Sequence, residues 1–178
     1  VRSRGLGDVY KRQFLYTTGP YPLSYNGWGD VLVIVFFGFV PVGGTYYVQA
    51  LTWTPDVTIA SLICGLLIDT LLVVNNYRDR EADARSGKRT VIVRFGEKFG
   101  RYFYLMLGVT ASLLCLCFLR EGHFLAALLP QLYLIPHFLT WKRMVKIYSG
   151  KKLNSILGET SRNMLFMGVL IAIGMLVS

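Results

Sequence analysis

The 178-residue sequence has few charged side chains: 16% of its residues are Asp, Glu, Lys or Arg, whereas a soluble domain of this size carries about 25%. The charges are clustered, and long charge-free stretches separate the clusters. Hydrophobic residues make up 53% of the chain. This pattern excludes an ordinary soluble domain and predicts a polytopic membrane protein. Because backbone amides in hydrocarbon must be hydrogen-bonded within the chain, we expect an all-α transmembrane helical bundle.

Cysteine and histidine are also scarce, with three and two residues. The cysteines lie inside apolar runs and show no Cys-x-x-Cys spacing, which argues against a disulfide framework or a metal site built on thiolates. We interpret them as small packing residues. The two histidines are isolated from each other, so the sequence indicates no histidine-based metal or catalytic motif.

Five apolar runs are long enough to cross a bilayer as helices. They cover residues 30–51, 56–77, 99–119, 123–141 and 158–177. Pro130 and Pro136 should kink the fourth helix. Residues 1–13 are polar, basic and without periodicity, and they resemble the read-through of a sequencing adaptor. We expect them to be non-native or disordered, and residues 14–178 to be the C-terminal part of one transmembrane domain of a longer protein.

The basic excess of the chain, a formal net charge of +9, lies mainly in loops. Eight basic residues fall within 78–101 and five within 142–152, whereas the two connections on the other side share only Arg120. The positive-inside rule then predicts that both basic loops are cytoplasmic and that the C-terminus is outside a plasma membrane. Anionic lipid head groups explain most of this charge, so nucleic acid is not an expected partner.

The stretch that points to chemistry continues the second apolar run into the cytoplasmic interface. Asn75, Asp79 and Asp83 are spaced four residues apart, so a helix places them on one face, one per turn. Two carboxylates one turn apart need a cation at low dielectric. Oxygen ligands of this kind suit Mg²⁺, which commonly joins carboxylates to a substrate phosphate. We therefore predict Asp79, Asp83 and Asn75 as metal ligands, with the two aspartates as the catalytic pair.

Basic side chains lie beside these carboxylates. Guanidinium groups bind phosphate through paired hydrogen bonds, and lysine acts as a point charge. Gly87 would let the chain turn and bring Lys88 and Arg89 back toward the carboxylates. The predicted diphosphate contacts are Asn76, Arg78, Lys88 and Arg89, with Arg85 a weaker candidate. The simpler interpretation is a solvated helix face of alternating charge.

At these residues the sequence resembles the UbiA superfamily of membrane prenyltransferases. Asp79 and Asp83 match its second aspartate-rich motif within the string Asn-Asn-x-Arg-Asp-x-x-x-Asp-x-x-x-Gly-Lys-Arg-Thr. The resemblance covers residues 14–178. Three further stretches agree with the family: Gly19 to Leu23, Phe36-Phe37-Gly38 with Val42 to Gln49, and Leu153-Asn154 with Leu157 to Thr160.

The resemblance implies a nine-helix bundle around a lipid-facing cavity, with Mg²⁺ and two aspartate-rich motifs. The first motif, Asn-Asp-x-x-x-Asp, is absent from residues 1–74. The chain would then hold about five of the nine helices, and we expect it to be inactive alone. The implied reaction moves a polyprenyl group from its diphosphate to an aromatic acid, here 1,4-dihydroxy-2-naphthoate, giving demethylmenaquinone. Tyr46 and Tyr47, placed mid-span, and Tyr21 at the mouth would line the substrate cavity.

Two alternatives stay open. Another branch of the family would act on 4-hydroxybenzoate, haem or chlorophyllide, although the Asn75-Asn76 pair and the Gly87 to Thr90 stretch favour the naphthoate branch. A non-enzymatic membrane protein, such as a transporter or an assembly factor, is the other. A transporter should show charged or broken helices near the bilayer midplane. We expect no charge inside the five spans, which favours the enzyme.

Overall fold

A computed structural model of the protein describes residues 27–177, which form helices and no strand. Five helices are long and apolar enough to cross a membrane: α1 (Gly29–Ala50), α2 (Pro55–Arg85), α3 (Val91–Glu121), α4 (Phe124–Ile147) and α5 (Leu153–Val177). The five predicted spans are confirmed, and the chain is an all-α, multi-pass membrane protein. The predictions for residues 1–13 and for Tyr21 lie outside the described residues.

Local sequence explains where several helices begin and end. The Thr54 hydroxyl caps α2 by accepting a hydrogen bond from the Val57 N–H at 3.3 Å. Thr90 caps α3 in the same way, with the Val93 N–H at 3.2 Å. Both side chains satisfy amides that have no partner within the helix. The second helix runs on to Arg85, well beyond the predicted apolar span, so the predicted metal ligands lie on continuous helix.

Three of the helices are irregular. The turns of α1 widen to a π-helix over Ile34–Gly43. The start of α3 is broken at Gly96, which has a φ of 89° and a ψ of 171°. Glycine adopts this conformation readily, whereas residues with a side chain rarely do. In α4 a 3₁₀ segment, Leu129–Tyr133, begins beside Pro130, which confirms the distortion expected there. Pro136 lies in the first turn of the following α-helical stretch, where proline is tolerated.

The second helix is the centre of the bundle and packs against α1, α3 and α5. Over its most apolar window 56% of the residues are buried, against 17% for α1. Two glycines let α1 lie directly on α2. A Cβ atom at Gly38 would collide with the Ser61 carbonyl oxygen, and one at Gly65 would lie 2.8 Å from the Ile34 Cα. Close backbone approach of this kind is what holds helices together in lipid.

The far side of the bundle, where α3, α4 and α5 meet, has a polar interior. The Tyr133 hydroxyl lies 2.9 Å from His137 Nδ1, and His137 Nε2 lies 3.3 Å from the Leu105 carbonyl oxygen. The Tyr104 hydroxyl pairs with that of Thr160 at 3.0 Å. His137 is therefore a hydrogen-bonded core residue, and both of its ring nitrogens are used within the bundle.

Candidate active site at the end of α2

The last turns of α2 carry a polar cluster centred on Arg78. Its Nε and Nη2 atoms donate to the two carboxylate oxygens of Asp79 at 2.7 and 2.6 Å. Nη2 also donates to Asn75 Oδ1 at 2.8 Å, and Nη1 donates to Asn154 Oδ1 at 2.9 Å. Asn154 lies at the start of α5, 76 residues away along the chain. We call these four residues the Arg78 cluster.

Asp83 follows one turn later and has its own basic partner. The chain turns at Gly87, where φ is 78°, and the Lys88 N–H donates to the Asp83 carbonyl oxygen at 2.9 Å. The Lys88 ammonium then lies 3.4 Å from Asp83 Oδ1. The predicted return of Lys88 toward the carboxylates is confirmed. The side chain of Arg89 is exposed, and it does not share this pairing.

The adjacent amides Asn75 and Asn76 face different surroundings. Asn75 belongs to the Arg78 cluster, whereas Asn76 is 5% exposed and faces a small cavity of about 40 Å³ near the start of α1. Lys88 and Thr90 line the same cavity. That volume is close to the share of a single water molecule in the liquid, about 30 Å³. Asn76 lines this cavity and does not share the hydrogen bonds of the Arg78 cluster, and its predicted contact with a diphosphate stays a prediction.

A second basic group on the other side of α2 has a structural role. Glu97 pairs with Arg101 at 3.3 Å and with Arg80 at 3.7 Å. The Arg80 guanidinium lies 4.5 Å from the centre of the Tyr77 ring and 5.0 Å from that of Tyr148. The Glu97 carboxylate raises the pKa of the Tyr148 hydroxyl. These contacts join α2 and α3 to the end of α4 and hold both arginines in place.

A long apolar groove lies on the side of α2 that carries the Arg78 cluster. Its first part, about 600 Å³, runs between α2 and α5 and is lined by Ile68 and Gly168 among others. Ile68 precedes Asn75 by seven residues, and Gly168 follows Asn154 by fourteen. Since seven residues make two helical turns, the groove and the cluster lie on matching helix faces. The groove thus leads away from the polar end along the helices.

An adjoining groove of about 690 Å³ continues toward the other end of the bundle and shares Val42, Ala60 and Phe118 with the first. Tyr46 lines this outer part. Tyr47 is 51% exposed and faces outward. Both tyrosines lie in the last turns of α1, and the expectation that they lie mid-span is wrong. Tyr46 lines this groove together with Ala60, which precedes Asp79 by nineteen residues, about 28 Å along α2. The predicted role of both tyrosines in the substrate cavity stays a prediction.

Three polar residues near the site were not predicted. Asn154 stands in one of the stretches quoted for the family resemblance, yet its tie to Arg78 depends on how α5 packs. Asp69 is fully buried and Asp30 is 8% exposed, and both lie within membrane-spanning helices. Asp69 lies in the middle of α2 and contradicts the expectation of spans without internal charge, whereas Asp30 lies in the first turn of α1, at the end of its span. A lone aspartate within an apolar run is a signal that the sequence does offer.

The oxygen donors at the end of α2 fit Mg²⁺ when substrate phosphate oxygens complete its coordination. Within residues 27–177 no group of three or more His, Cys, Asp or Glu side chains could hold a metal. Asp79, Asp83 and Asn75 supply oxygen donors on successive turns. Mg²⁺ is commonly held by one or two carboxylates, with waters and substrate phosphates completing its shell. The residues present therefore fit a metal–phosphate complex better than a metal alone.

Comparison with known proteins gives a consistent picture. The model of the UbiA prenyltransferase family matches residues 13–176. A 1,4-dihydroxy-2-naphthoate octaprenyltransferase from Haemophilus influenzae is 34% identical over 166 residues, covering 91% of this chain and 53% of that protein. The Escherichia coli protein of the same name is 43% identical over 101 residues, covering 57% of this chain and 32% of that protein.

A more distant relative is the UbiA prenyltransferase domain-containing protein 1 of Dictyostelium discoideum. It is 30% identical over 163 residues, covering 92% of this chain and 48% of that protein. The chain thus spans about half the length, or less, of the curated relatives it matches. No solved structure matches the chain.

Proposed function

The chain belongs to the UbiA prenyltransferase family, and on that premise we propose that its protein transfers a polyprenyl group from polyprenyl diphosphate to 1,4-dihydroxy-2-naphthoate, giving the reduced, quinol form of demethylmenaquinone. The names of the relatives from Haemophilus influenzae and Escherichia coli support this acceptor. Residues 14–178 would form one part of a single transmembrane domain. We assign the activity to the full-length protein, since this chain matches only 53% of the relative from Haemophilus influenzae.

One observation carries the proposal: a cluster of carboxylate, amide and guanidinium groups stands at one end of a long apolar groove. The Arg78 cluster suits a charged head group, because guanidinium groups and a metal held by carboxylates both bind phosphate. The groove between α2 and α5 suits a hydrocarbon tail and opens along helices that face lipid. A polyprenyl diphosphate has both of these parts, whereas a soluble diphosphate would have no use for the groove.

The carboxylates are already paired with basic side chains. Arg78 holds Asp79, and Lys88 holds Asp83. Asp79 and Asp83 would hold Mg²⁺, and Arg78 and Lys88 would then be free to contact the phosphate oxygens. Each carboxylate and each basic side chain would keep a partner of opposite charge.

The side chains of the site then assist departure of the diphosphate. Bound Mg²⁺ would supply charge that stabilises the leaving oxygen. Arg78 and Lys88 would hold the phosphate oxygens as the allylic C–O bond breaks and negative charge grows. The electron-rich naphthoate carbon that bears the carboxylate attacks the allylic carbon, and the carboxylate leaves as carbon dioxide. The apolar walls of the groove keep water away from the cationic carbon.

We place the end of α2 and the loop that follows it in the cytoplasm. The stretches at residues 78–101 and 142–152, each of which joins two spans, carry most of the basic residues, and basic connections of this kind remain on the cytoplasmic side. The C-terminus of α5 would then lie outside a bacterial plasma membrane. The diphosphate end of the groove would face the compartment in which soluble acceptors are made.

Asp79→Asn in the full-length protein tests the proposal. Loss of the carboxylate should lower kcat for Mg²⁺-dependent prenyl transfer at least about 100-fold, in the range seen when a group that stabilises leaving-group charge is removed. Glu81→Gln, which changes an exposed acid on the same helix, is the matched control and should retain activity. Wild-type turnover by Asp79→Asn would refute the role of the site.

The acceptor needs its own assay. The purified protein should prenylate 1,4-dihydroxy-2-naphthoate in preference to 4-hydroxybenzoate when both are offered with the same polyprenyl diphosphate. Activity confined to 4-hydroxybenzoate would support the proposed diphosphate site and contradict the proposed acceptor. No prenyl transfer to any aromatic ring would favour a non-enzymatic role.

A further inference from the structure

The buried carboxyl groups of Asp30 and Asp69 lie against each other between α1 and α2. The two helices are antiparallel at this point, and Gly65 of α2 touches Ile34 of α1. Asp30 comes four residues before Ile34, and Asp69 comes four residues after Gly65. Both are therefore one turn further toward the polar end, at the same level. At this level the two carboxyl groups act on each other electrostatically.

Within residues 27–177 no group donates a hydrogen bond to the Asp69 carboxylate. Its side chain is fully buried, and neither carboxylate oxygen has a donor among residues 27–177. Two ionised carboxylates offer only acceptors to each other. Two negative charges side by side in this buried interface would repel each other strongly, because the interior screens them weakly. One proton between them removes this repulsion and creates the missing donor.

The surroundings decide which residue carries the proton. Asp30 stands in the first turn of α1, where unpaired backbone amides favour a negative charge. It also lines the cavity of about 40 Å³ that Lys88 borders. Asp69 lies in mid-helix with no access to water. Asp30 is therefore the ionised partner and Asp69 the protonated one.

Two basic groups face this region. Lys88 reaches the cavity from the turn after α2, although its ammonium is paired with Asp83 at 3.4 Å. Arg94 of α3 extends to the backbone of Gly27 beside the same cavity. Neither donates to Asp69. Within residues 27–177 no single basic side chain is thus paired with both carboxylates, and a proton is the smallest cation that can neutralise one of them.

We propose that Asp30 and Asp69 form a buried proton-binding site, in which a protonated Asp69 donates a hydrogen bond to an ionised Asp30. The bond fastens the start of α1 to α2 directly behind Asn76 and Lys88. Loss of the proton would place a second negative charge near Lys88 and draw it away from Asp83. The site does not depend on prenyl transfer, and it is tested without a prenyl substrate.

The test follows protonated carboxyl groups in the full-length protein by infrared difference spectroscopy. Asp69→Asn should abolish the protonated-carboxyl band, whereas Asp30→Asn should retain it. Glu81→Gln, an exposed acid on α2, should leave the band unchanged. Persistence of the band in Asp69→Asn, or its absence from the wild type, would overturn the proposal. If Asp30→Asn loses the band and Asp69→Asn keeps it, the proton belongs to Asp30, and its assignment to Asp69 is wrong.

Thermal unfolding against pH gives a second readout. A group that is protonated when folded and ionised when unfolded makes the folded state bind more protons, so stability falls as pH rises. We expect the wild-type Tm to fall by at least about 3 °C more than that of Asp69→Asn as the pH rises from about 4, the usual pKa of an unfolded aspartate, to alkaline values. The asparagine amide keeps the hydrogen bond to Asp30 and needs no proton, so the two Tm values should agree near pH 4 and the variant should be the more stable protein at neutral pH.

Equal pH slopes for the wild type and Asp69→Asn would contradict the proton site. A monovalent metal ion is the competing occupant of the pair. A wild-type Tm that rises with sodium concentration at constant ionic strength, with no such rise in Asp69→Asn, would replace the proton with that ion. Independence from sodium supports the proton.

Discussion

Substitution of Gly168 by phenylalanine should shorten the groove that we assign to the prenyl chain. Gly168 lines the groove between α2 and α5, and a Cβ atom there would meet no atom within 4 Å. A bulky side chain can therefore enter the groove without disturbing the packing of α5. The folded protein should tolerate the change, and any effect on activity reports on the groove itself.

The position of Gly168 sets the chain length at which the block acts. It follows Asn154 by fourteen residues, about 21 Å along an α-helix. An isoprene unit has four skeletal bonds of about 1.5 Å and extends about 5 Å. The new ring should thus meet a bound chain near its fourth isoprene unit. Farnesyl diphosphate, with three units, should still fit, whereas octaprenyl diphosphate should not.

The magnitude follows from where the displaced chain goes. Each unit that leaves the groove enters lipid rather than water, so the hydrophobic transfer energy is not lost. The block does remove packing contacts of the chain and misaligns its allylic end. We expect kcat/KM for octaprenyl diphosphate to fall by roughly 10- to 100-fold, which corresponds to about 1.4 to 2.8 kcal/mol. The ratio of octaprenyl to farnesyl transfer should fall by that factor.

The assay compares both diphosphates with the same acceptor in the full-length protein. Gly44→Phe is the matched control. A Cβ atom on this α1 glycine also meets nothing within 4 Å, and Gly44 lines neither part of the groove. An equal loss with both substrates would show that the ring disturbs the site and not the tail. Unchanged activity with octaprenyl diphosphate would place the prenyl chain elsewhere.

Two further predictions concern close approaches between helices. Gly38→Ala should destabilise the protein by about 1 to 3 kcal/mol, because the added methyl group meets the backbone of α2. Gly44→Ala is the control, and equal Tm values for the two variants would contradict the direct contact of α1 with α2. Gly108→Ala should lower the Tm similarly, since its methyl group would run into the His137 ring; rescue by a smaller residue at position 137 would confirm the cause, and an unchanged Tm would refute it.

The local part of the candidate site could be predicted from sequence. The spacing of Asn75, Asp79 and Asp83 defines one helix face whatever the rest of the chain does. The return of Lys88 to Asp83 was predictable because Gly87 permits a positive φ. Both relations span only a few residues, so helix geometry alone sets them.

The non-local part could not be predicted in this way. Asn75 and Asn76 are neighbours in sequence, yet only Asn75 joins Arg78 and Asn154. Which of two adjacent amides meets the cluster depends on the rotation of α2 against its neighbours. Tyr46 was expected mid-span and lies near the far end of α1, where it lines only the outer groove.

By itself, the sequence determined that this protein crosses a membrane as five helices and ends the second of them in a charged, oxygen-rich turn. Hydropathy, helical periodicity and one glycine are sufficient, because each acts within a single segment. Only the tertiary structure decided that Arg78 joins α2 to Asn154 and that Asp30 meets Asp69. These contacts depend on how closely helices cross, which Gly38 and Gly65 permit, and a helix crossing is a property of two surfaces that no single segment carries.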